Sequence, residues 1–95
     1  HPGGLISINI NQCPNLIHLN LNGNHLTNID LSNNTLLTYL RLSSNLLTAL
    51  DVSNNLNLRT LVCSNNMITN LDLLNHHNFN DGGIACDFNQ LTSLC

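Results

Sequence analysis

Three aspartates at a constant interval are the first candidates for chemistry in this sequence. Asp30, Asp51 and Asp72 follow one another at steps of 21 residues. If the segments that carry them lie side by side as parallel strands, about 4.8 Å apart, the carboxylates form a column of like charge, which is unfavourable without compensation. Hydrogen bonds from Ser32, Ser53 and nearby asparagines are one compensation. A bound cation such as calcium, which takes oxygen ligands, is the alternative.

Histidines and cysteines are weaker candidates. His76 and His77 are adjacent, and two neighbouring histidines without a spaced third ligand make a weak metal motif. Cys63 and Cys86 occupy equivalent positions of successive segments, and we interpret them as buried free thiols, because stacked side chains point the same way. Cys95 falls at the aspartate position and could link molecules at the surface. No nucleophile motif or cleft-forming pattern accompanies these residues, so we predict neither enzymatic activity nor a cofactor.

The composition excludes several classes of function. The 95 residues include two Lys or Arg, five acidic residues and a net charge of −3. Only 7% of the residues are charged, against roughly 25% in typical soluble domains. The sequence therefore offers no basic stripe for nucleic acid and no apolar run long enough for membrane insertion. A surface made of Asn, Ser and Thr also does little to keep molecules apart.

A repeat of 21 residues positions these side chains. Leu37, Leu40, Leu42 and Leu47 each have an apolar counterpart one repeat earlier and one repeat later. We divide the chain into a leader at 1–4, a half-repeat at 5–15, full repeats at 16–36, 37–57 and 58–78, and an irregular last repeat at 79–95. The irregularity is two extra residues within 74–83, where Gly82 and Gly83 allow the backbone to turn back into register.

Two apolar triplets in each full repeat predict two short strands. The triplets lie at 19–21, 29–31, 40–42, 50–52, 61–63 and 71–73, and each alternates with period two. Because a repeat of this kind can bury its apolar edge only against its neighbours, the pattern predicts a β-rich solenoid of about four turns. We expect parallel β-ladders on two sides of it and no substantial helix.

Asparagines recur where each repeat turns. An inward-facing Asn can bond backbone N–H and C=O groups that no ladder reaches, so we predict a structural role for these side chains. Cys13 stands at the same position of its half-repeat as two of them. The predicted structural asparagines are Asn24, Asn34, Asn45, Asn55, Asn66 and Asn89.

The signature L-x-x-L-x-L-x-x-N-x-L at 16–26 and 37–47, repeated at 58–68 with Cys63 and Ile68, resembles the leucine-rich repeat family. The likeness is greatest to the class with nested half-repeats of 10 and 11 residues that is common in bacterial surface proteins, and it covers about residues 5–95. The resemblance implies a right-handed solenoid, a non-catalytic structural or protein-binding role, and an extracellular or cell-surface location.

The first functional hypothesis is self-association. Both ends of the repeat array are apolar half-repeats without a polar cap, and open edges of a parallel sheet invite the addition of another strand. A head-to-tail contact that does not close on itself produces a filament. The residues expected at the two joining ends are Leu5, Ile8, Ile10, Leu19, Ile84, Leu91, Leu94 and Cys95.

The alternative hypothesis is a protein-binding module, most simply a fragment of a longer surface protein. The family resemblance makes the first-half strands its ligand face, where Tyr39 and Arg41 are anchor types for protein contacts. The outward residues of that face are His18, Asn20, Tyr39, Arg41, Thr60 and Val62. Asn33 begins the only N-x-S/T sequon, which is usable if the chain passes through a glycosylating pathway.

Overall fold

A computed structural model describes residues 6–73, 76, 79, 83–87 and 89, together with the backbone of 93–94. Within these residues the chain forms short strands joined by turns and contains no helix, hence none of the length and apolar character needed to cross a membrane. The strands are β1 (His18–Asn20), β2 (Tyr39–Arg41), β3 (Thr60–Val62), β4 (Asn70–Leu71), β5 (Ile84–Ala85) and β6 (Ser93–Leu94).

The main layer is a four-stranded parallel sheet in the order β1-β2-β3-β5. Residues paired across β1, β2 and β3 are 21 positions apart, as His18 is from Tyr39 and Tyr39 from Thr60. Between β3 and β5 the interval is 23, since Leu61 pairs with Ile84. The parallel sheet predicted from the first triplet of each repeat is therefore confirmed, and the two extra residues are absorbed in the connection before β5.

Each of the first three strands of this sheet leads into a turn of left-handed backbone. Gly23, Ser44 and Asn65 have φ values of 74°, 59° and 58°, and they stand at the same position of successive repeats. This region disfavours most side chains but accepts glycine freely and asparagine more readily than bulky residues. The N–H of Gly23 donates to the Ser43 carbonyl at 2.9 Å, so bonding between repeats continues into the turn.

The second predicted ladder forms only in part. β4 pairs with β6, but the triplets at 29–31 and 50–52 form no strand. Each of these two triplets is followed by a local bond: Asp30 Oδ1 accepts the Ser32 N–H at 3.0 Å, and Asp51 Oδ1 accepts the Ser53 N–H at 2.9 Å. The same bond follows β1, where Asn20 Oδ1 accepts the Asn22 N–H at 3.1 Å, so it does not by itself prevent a strand from forming.

The apolar core lies between the sheet and the second half-repeats. Leu40 and Leu61 face it from the sheet with no exposed surface, and Leu31 and Val52 face it from the other side with 1% exposed. Burial of one such side chain contributes about 1.5–3 kcal/mol. The equivalent residues at the two edges of the sheet are only half-buried, because they have a neighbouring repeat on one side only among the described residues.

Candidate functional site

The outward side of β1, β2 and β3 carries three planar side chains in contact. We call this surface the sheet face; its residues are His18, Asn20, Tyr39, Arg41, Thr60 and Val62. The register of β1 on β2 places the His18 ring beside the Tyr39 ring, with centroids 5.4 Å apart. Arg41 lies two residues further along β2, and its guanidinium carbon is 5.6 Å from the centroid of the Tyr39 ring. This cation–π contact holds the guanidinium over the sheet.

Two polar atoms of the sheet lack hydrogen-bond partners among the described residues. Arg41 Nε and Ser43 Oγ are both shielded from solvent, and neither bonds to another group there. Ser43 follows Arg41 at the spacing that keeps both side chains on one side of a strand. A buried donor without a partner costs free energy, and an acceptor from outside the chain can reach these two atoms only if the groups around them move.

Positive charge is concentrated at this sheet. The only two Lys or Arg residues of the chain are Arg41 in β2 and Arg59, which is exposed and directly precedes β3. Asp87 follows β5, and its carbonyl accepts the N–H of Asn65 at 2.9 Å, so one acidic residue also lies beside this sheet. The other described acidic residues occupy the second half-repeats. Both arginines of this weakly acidic chain therefore lie at the sheet, together with one aspartate.

The aspartates that follow one another at steps of 21 residues, which we call the aspartate column, lie in the second half-repeats. Asp30, Asp51 and Asp72 are all exposed. Asp30 Oδ1 also accepts the Ser32 hydroxyl at 2.6 Å, and the hydrogen bonds from the neighbouring serines lower the pKa of both Asp30 and Asp51. Hydrogen bonding thus compensates the like charges at these two positions. The described residues contain no group of three metal-ligating side chains arranged to hold an ion.

A shallow groove runs beside the aspartate column. It has a volume of about 400 Å³ and is lined by Ala49, Asp51, Asn70, Asp72 and His76, among others. His76 is half-buried in it and stacks on Phe79, with ring centroids 5.8 Å apart. Its neighbour in the predicted histidine pair, at position 77, lies outside the described residues.

The turn asparagines of the first half-repeats bond one repeat to the next. Asn45 Nδ2 donates to the Leu42 carbonyl at 2.9 Å and to the Leu21 carbonyl of the preceding repeat at 3.0 Å. Asn45 Oδ1 accepts the N–H of Leu26 at 3.1 Å. The same three bonds recur at Asn66 and Asn89, whereas Asn24 donates to the carbonyl of Leu21 in its own repeat.

On the other side, Asn34 and Asn55 are fully buried. Asn55 Nδ2 donates to the carbonyls of Leu31 and Asn34 in the preceding repeat, at 3.1 and 2.8 Å. His76 stands one repeat beyond Asn55, and its Nε2 bonds in the same way to the carbonyl of Val52 at 2.9 Å. The sequence analysis missed this role, although the constant interval from Asn34 through Asn55 to His76 was a signal for it.

The structure divides the described residues of the two predicted joining ends. Ile8 and Leu19 at one end and Ile84 at the other are partly exposed, whereas Ile10 is buried in the core with 6% exposed. Leu5, Leu91 and Cys95 lie outside the described residues, and only the backbone of Leu94 is described. Asn33 of the sequon is exposed, and its Nδ2 donates to the Asn11 carbonyl at 3.4 Å.

Cys13, Cys63 and Cys86 are free thiols. Cys63 has no exposed surface, and the Cys63 N–H donates to the carbonyl of Ala85 at 2.8 Å, which places it beside Cys86 in the next repeat. Burial, with a smaller contribution from the neighbouring Cys86, raises the pKa of the Cys63 thiol to about 12. The thiolate is the nucleophilic form of cysteine, so Cys63 is chemically inert in the folded chain.

The raised pKa of Cys63 predicts a pH dependence of stability. In the unfolded chain this thiol loses its proton near pH 9, whereas the folded chain retains it to about pH 12. Its contribution to stability is therefore fully present below pH 9 and is lost as the pH rises toward 12. In denaturant titrations, the free energy of unfolding of the unaltered protein should fall more steeply across this pH window than that of Cys63→Val. Equal slopes for the two proteins would contradict the prediction.

Comparison with known proteins identifies no relative. A search against protein-family models finds no match to this chain. No curated protein matches it either.

Proposed function

We propose that this chain is a short right-handed leucine-rich-repeat solenoid with a structural, non-catalytic role. It associates end to end through the two edges of its sheet into an extracellular filament or array. The observation that carries the proposal is the unequal burial of one repeated position. Leu40 and Leu61 have no exposed surface, whereas Leu19 in β1 and Ile84 in β5, at the two edges, are partly exposed.

Backbone bonding supports the same contact. The N–H of Leu21 donates to the carbonyl of Arg41, so the backbone N–H and C=O groups of the odd-numbered residues at β1 point toward β2. Alternate residues of a parallel strand direct these groups to opposite neighbours, so those of His18 and Asn20 point to the open edge. The carbonyls of Gly83 and Ala85 accept the N–H groups of Leu61 and Cys63, so the backbone N–H and C=O of Ile84 point to the open edge of β5. Within the described residues β1 and β5 each pair with one strand, so the β1 edge of one molecule can add to β5 of the next.

The proposal predicts that Asn20→Pro abolishes polymer formation. Proline removes the N–H that faces the open edge, yet it is tolerated on an edge strand where that N–H faces away from the one strand that pairs with it in the described part of the chain. We expect uniform filaments of the unaltered protein by electron microscopy, with a mass by light scattering that grows with concentration. Asn20→Pro should remain a monomer with an unchanged far-ultraviolet circular dichroism spectrum.

Asn20→Ala is the matched control, because it removes the same side chain but keeps the N–H, and it should still form filaments. Monomers of the unaltered protein at every concentration would overturn the end-to-end proposal. So would filaments of Asn20→Pro that match those of the control in length and number.

A second candidate function is a protein-binding module, for which the sheet face supplies the contact. The observation that favours it is the Arg41 guanidinium, whose carbon lies 5.6 Å from the centroid of the Tyr39 ring. Stable monomers that lose binding to a partner on Arg41→Ala would support this candidate instead of the first.

A further inference from the structure

We infer that Asn22 is a site of spontaneous deamidation, and that its side chain reacts when the first full repeat, 16–36, separates from the second, 37–57. Asn22 and Gly23 form the only Asn-Gly sequence in the chain. Glycine has no side chain to hinder its own backbone nitrogen, and it leaves the backbone at this point free to move. That nitrogen can therefore attack the amide carbon of the asparagine before it.

The reaction proceeds through a cyclic imide. The backbone nitrogen of Gly23 loses its proton and forms a bond to Cγ of Asn22, while the bond from Cγ to Nδ2 breaks and ammonia leaves. Water then opens the five-membered imide at one of its two carbonyls. One opening gives aspartate, and the other gives isoaspartate, in which the main chain continues through the former side chain. Both residues are exposed, so water has access to them.

In the folded chain both reacting groups are bonded to one residue of the next repeat. The N–H of Gly23 donates to the Ser43 carbonyl at 2.9 Å, and Asn22 Oδ1 accepts the Ser43 N–H at 2.7 Å. The first bond must break before the nitrogen can lose its proton, and the second restrains rotation of the side-chain amide. Because Ser43 makes both bonds, separation of the two repeats releases both reacting groups together.

The separation that exposes this site is local. Asn45 joins the same two repeats, since it bonds to the Leu21 carbonyl and to the Leu26 N–H. Asn66 makes the equivalent bonds between the second and third repeats. Among the described residues β1 pairs with β2 only, and an edge segment of this kind opens at a lower free-energy cost than the whole fold. The rate of deamidation should therefore follow the strength of the contact between the first two full repeats.

The two products differ in how well the turn can form again. Aspartate at position 22 keeps an oxygen that can accept the Ser43 N–H. Isoaspartate adds a methylene group to the main chain, which displaces Gly23 from its register with Ser43 and weakens the contact between β1 and β2. In the end-to-end assembly β1 is a joining edge, so isoaspartate should also reduce assembly. That consequence rests on the proposed function, whereas the modification itself does not.

The test is incubation of the full chain in mildly alkaline buffer, folded or unfolded in urea, at a protein concentration too low for filaments. Mass spectrometry of the intact chain and of its peptides measures the loss of each amide and distinguishes aspartate from isoaspartate. We expect Asn22 to react first, at a rate at least about tenfold lower in the folded chain than in urea. Asn45→Ala should accelerate the reaction of the folded chain several-fold more than Asn66→Ala, because only Asn45 joins the first two full repeats.

Gly23→Asn is the matched control for the chemistry. The equivalent residues Ser44 and Asn65 have the same left-handed backbone, and a Cβ added at Gly23 meets no atom within 4 Å. The variant therefore keeps the turn and Asn22, but it places a side chain beside the attacking nitrogen. In urea, position 22 of this variant should react several-fold more slowly than in the unaltered protein.

A rate in the folded chain equal to or above the rate in urea would overturn the inference, and so would a reaction spread evenly over the exposed asparagines. Equal acceleration by Asn45→Ala and Asn66→Ala would attribute the reaction to unfolding of the whole chain and overturn the local separation. These outcomes are read from the mass of the monomer, so they stand or fall independently of the end-to-end proposal.

Discussion

Replacing Asn45 by alanine is expected to lower the free energy of unfolding by about 3–5 kcal/mol, the sum for several buried groups that lose their partners. Asn45 is 5% exposed, and its amide bonds to the carbonyls of Leu21 and Leu42 and to the N–H of Leu26. Alanine reaches none of them, and solvent reaches these groups only if the turn opens. Urea titration followed by circular dichroism measures the change.

The matched control is Asn54→Ala. Asn54 is exposed, and its Nδ2 donates to the Ser32 carbonyl at the long distance of 3.5 Å. Its replacement should change the stability by less than about 0.5 kcal/mol, as for other surface positions. If the two variants were equally stable, the turn asparagines would not hold the repeats together.

The second large effect is expected at the inward leucines. Leu40→Ala removes a side chain without exposed surface and leaves a cavity, so it should cost about 2–5 kcal/mol. Leu19 occupies the same position in β1 but is half-buried, and Leu19→Ala should cost clearly less in a monomer. Thermal or urea unfolding of both variants at low protein concentration tests the ranking.

The same pair of variants also tests the end contact. At concentrations where filaments form, Leu19 would be covered by the next molecule, so the cost of Leu19→Ala should approach that of Leu40→Ala. A cost that stays constant across the whole range of concentration would argue against burial of Leu19 by a second copy.

Several parts of this architecture could be predicted from the residues alone. The alternation of Leu40 and Leu42 with polar neighbours determines which side chains face inward, and the constant interval determines which segments pair. The parallel sheet and its 21-residue register follow from these two regularities, because both are local or periodic properties of the sequence. The positions of the turn asparagines follow in the same way.

The second ladder could not be predicted so well. Its triplets have the same apolar pattern as those of the sheet, yet 29–31 and 50–52 form no strand. The apolar pattern indicates which side chains are buried, but it does not indicate whether the backbone groups of two neighbouring segments come close enough to form a ladder.

Tertiary structure alone decided the remaining features. The 21-residue interval marks His76 as the counterpart of Asn55, but only the folded chain shows that its ring bonds to the Val52 carbonyl in place of an amide. Likewise, only the folded chain shows that Arg41 Nε and Ser43 Oγ are shielded from solvent and lack a hydrogen-bond partner among the described residues. Sequence periodicity specifies the direction of each side chain. Whether a polar atom finds a hydrogen-bond partner depends on the distances between segments, and only folding establishes those distances.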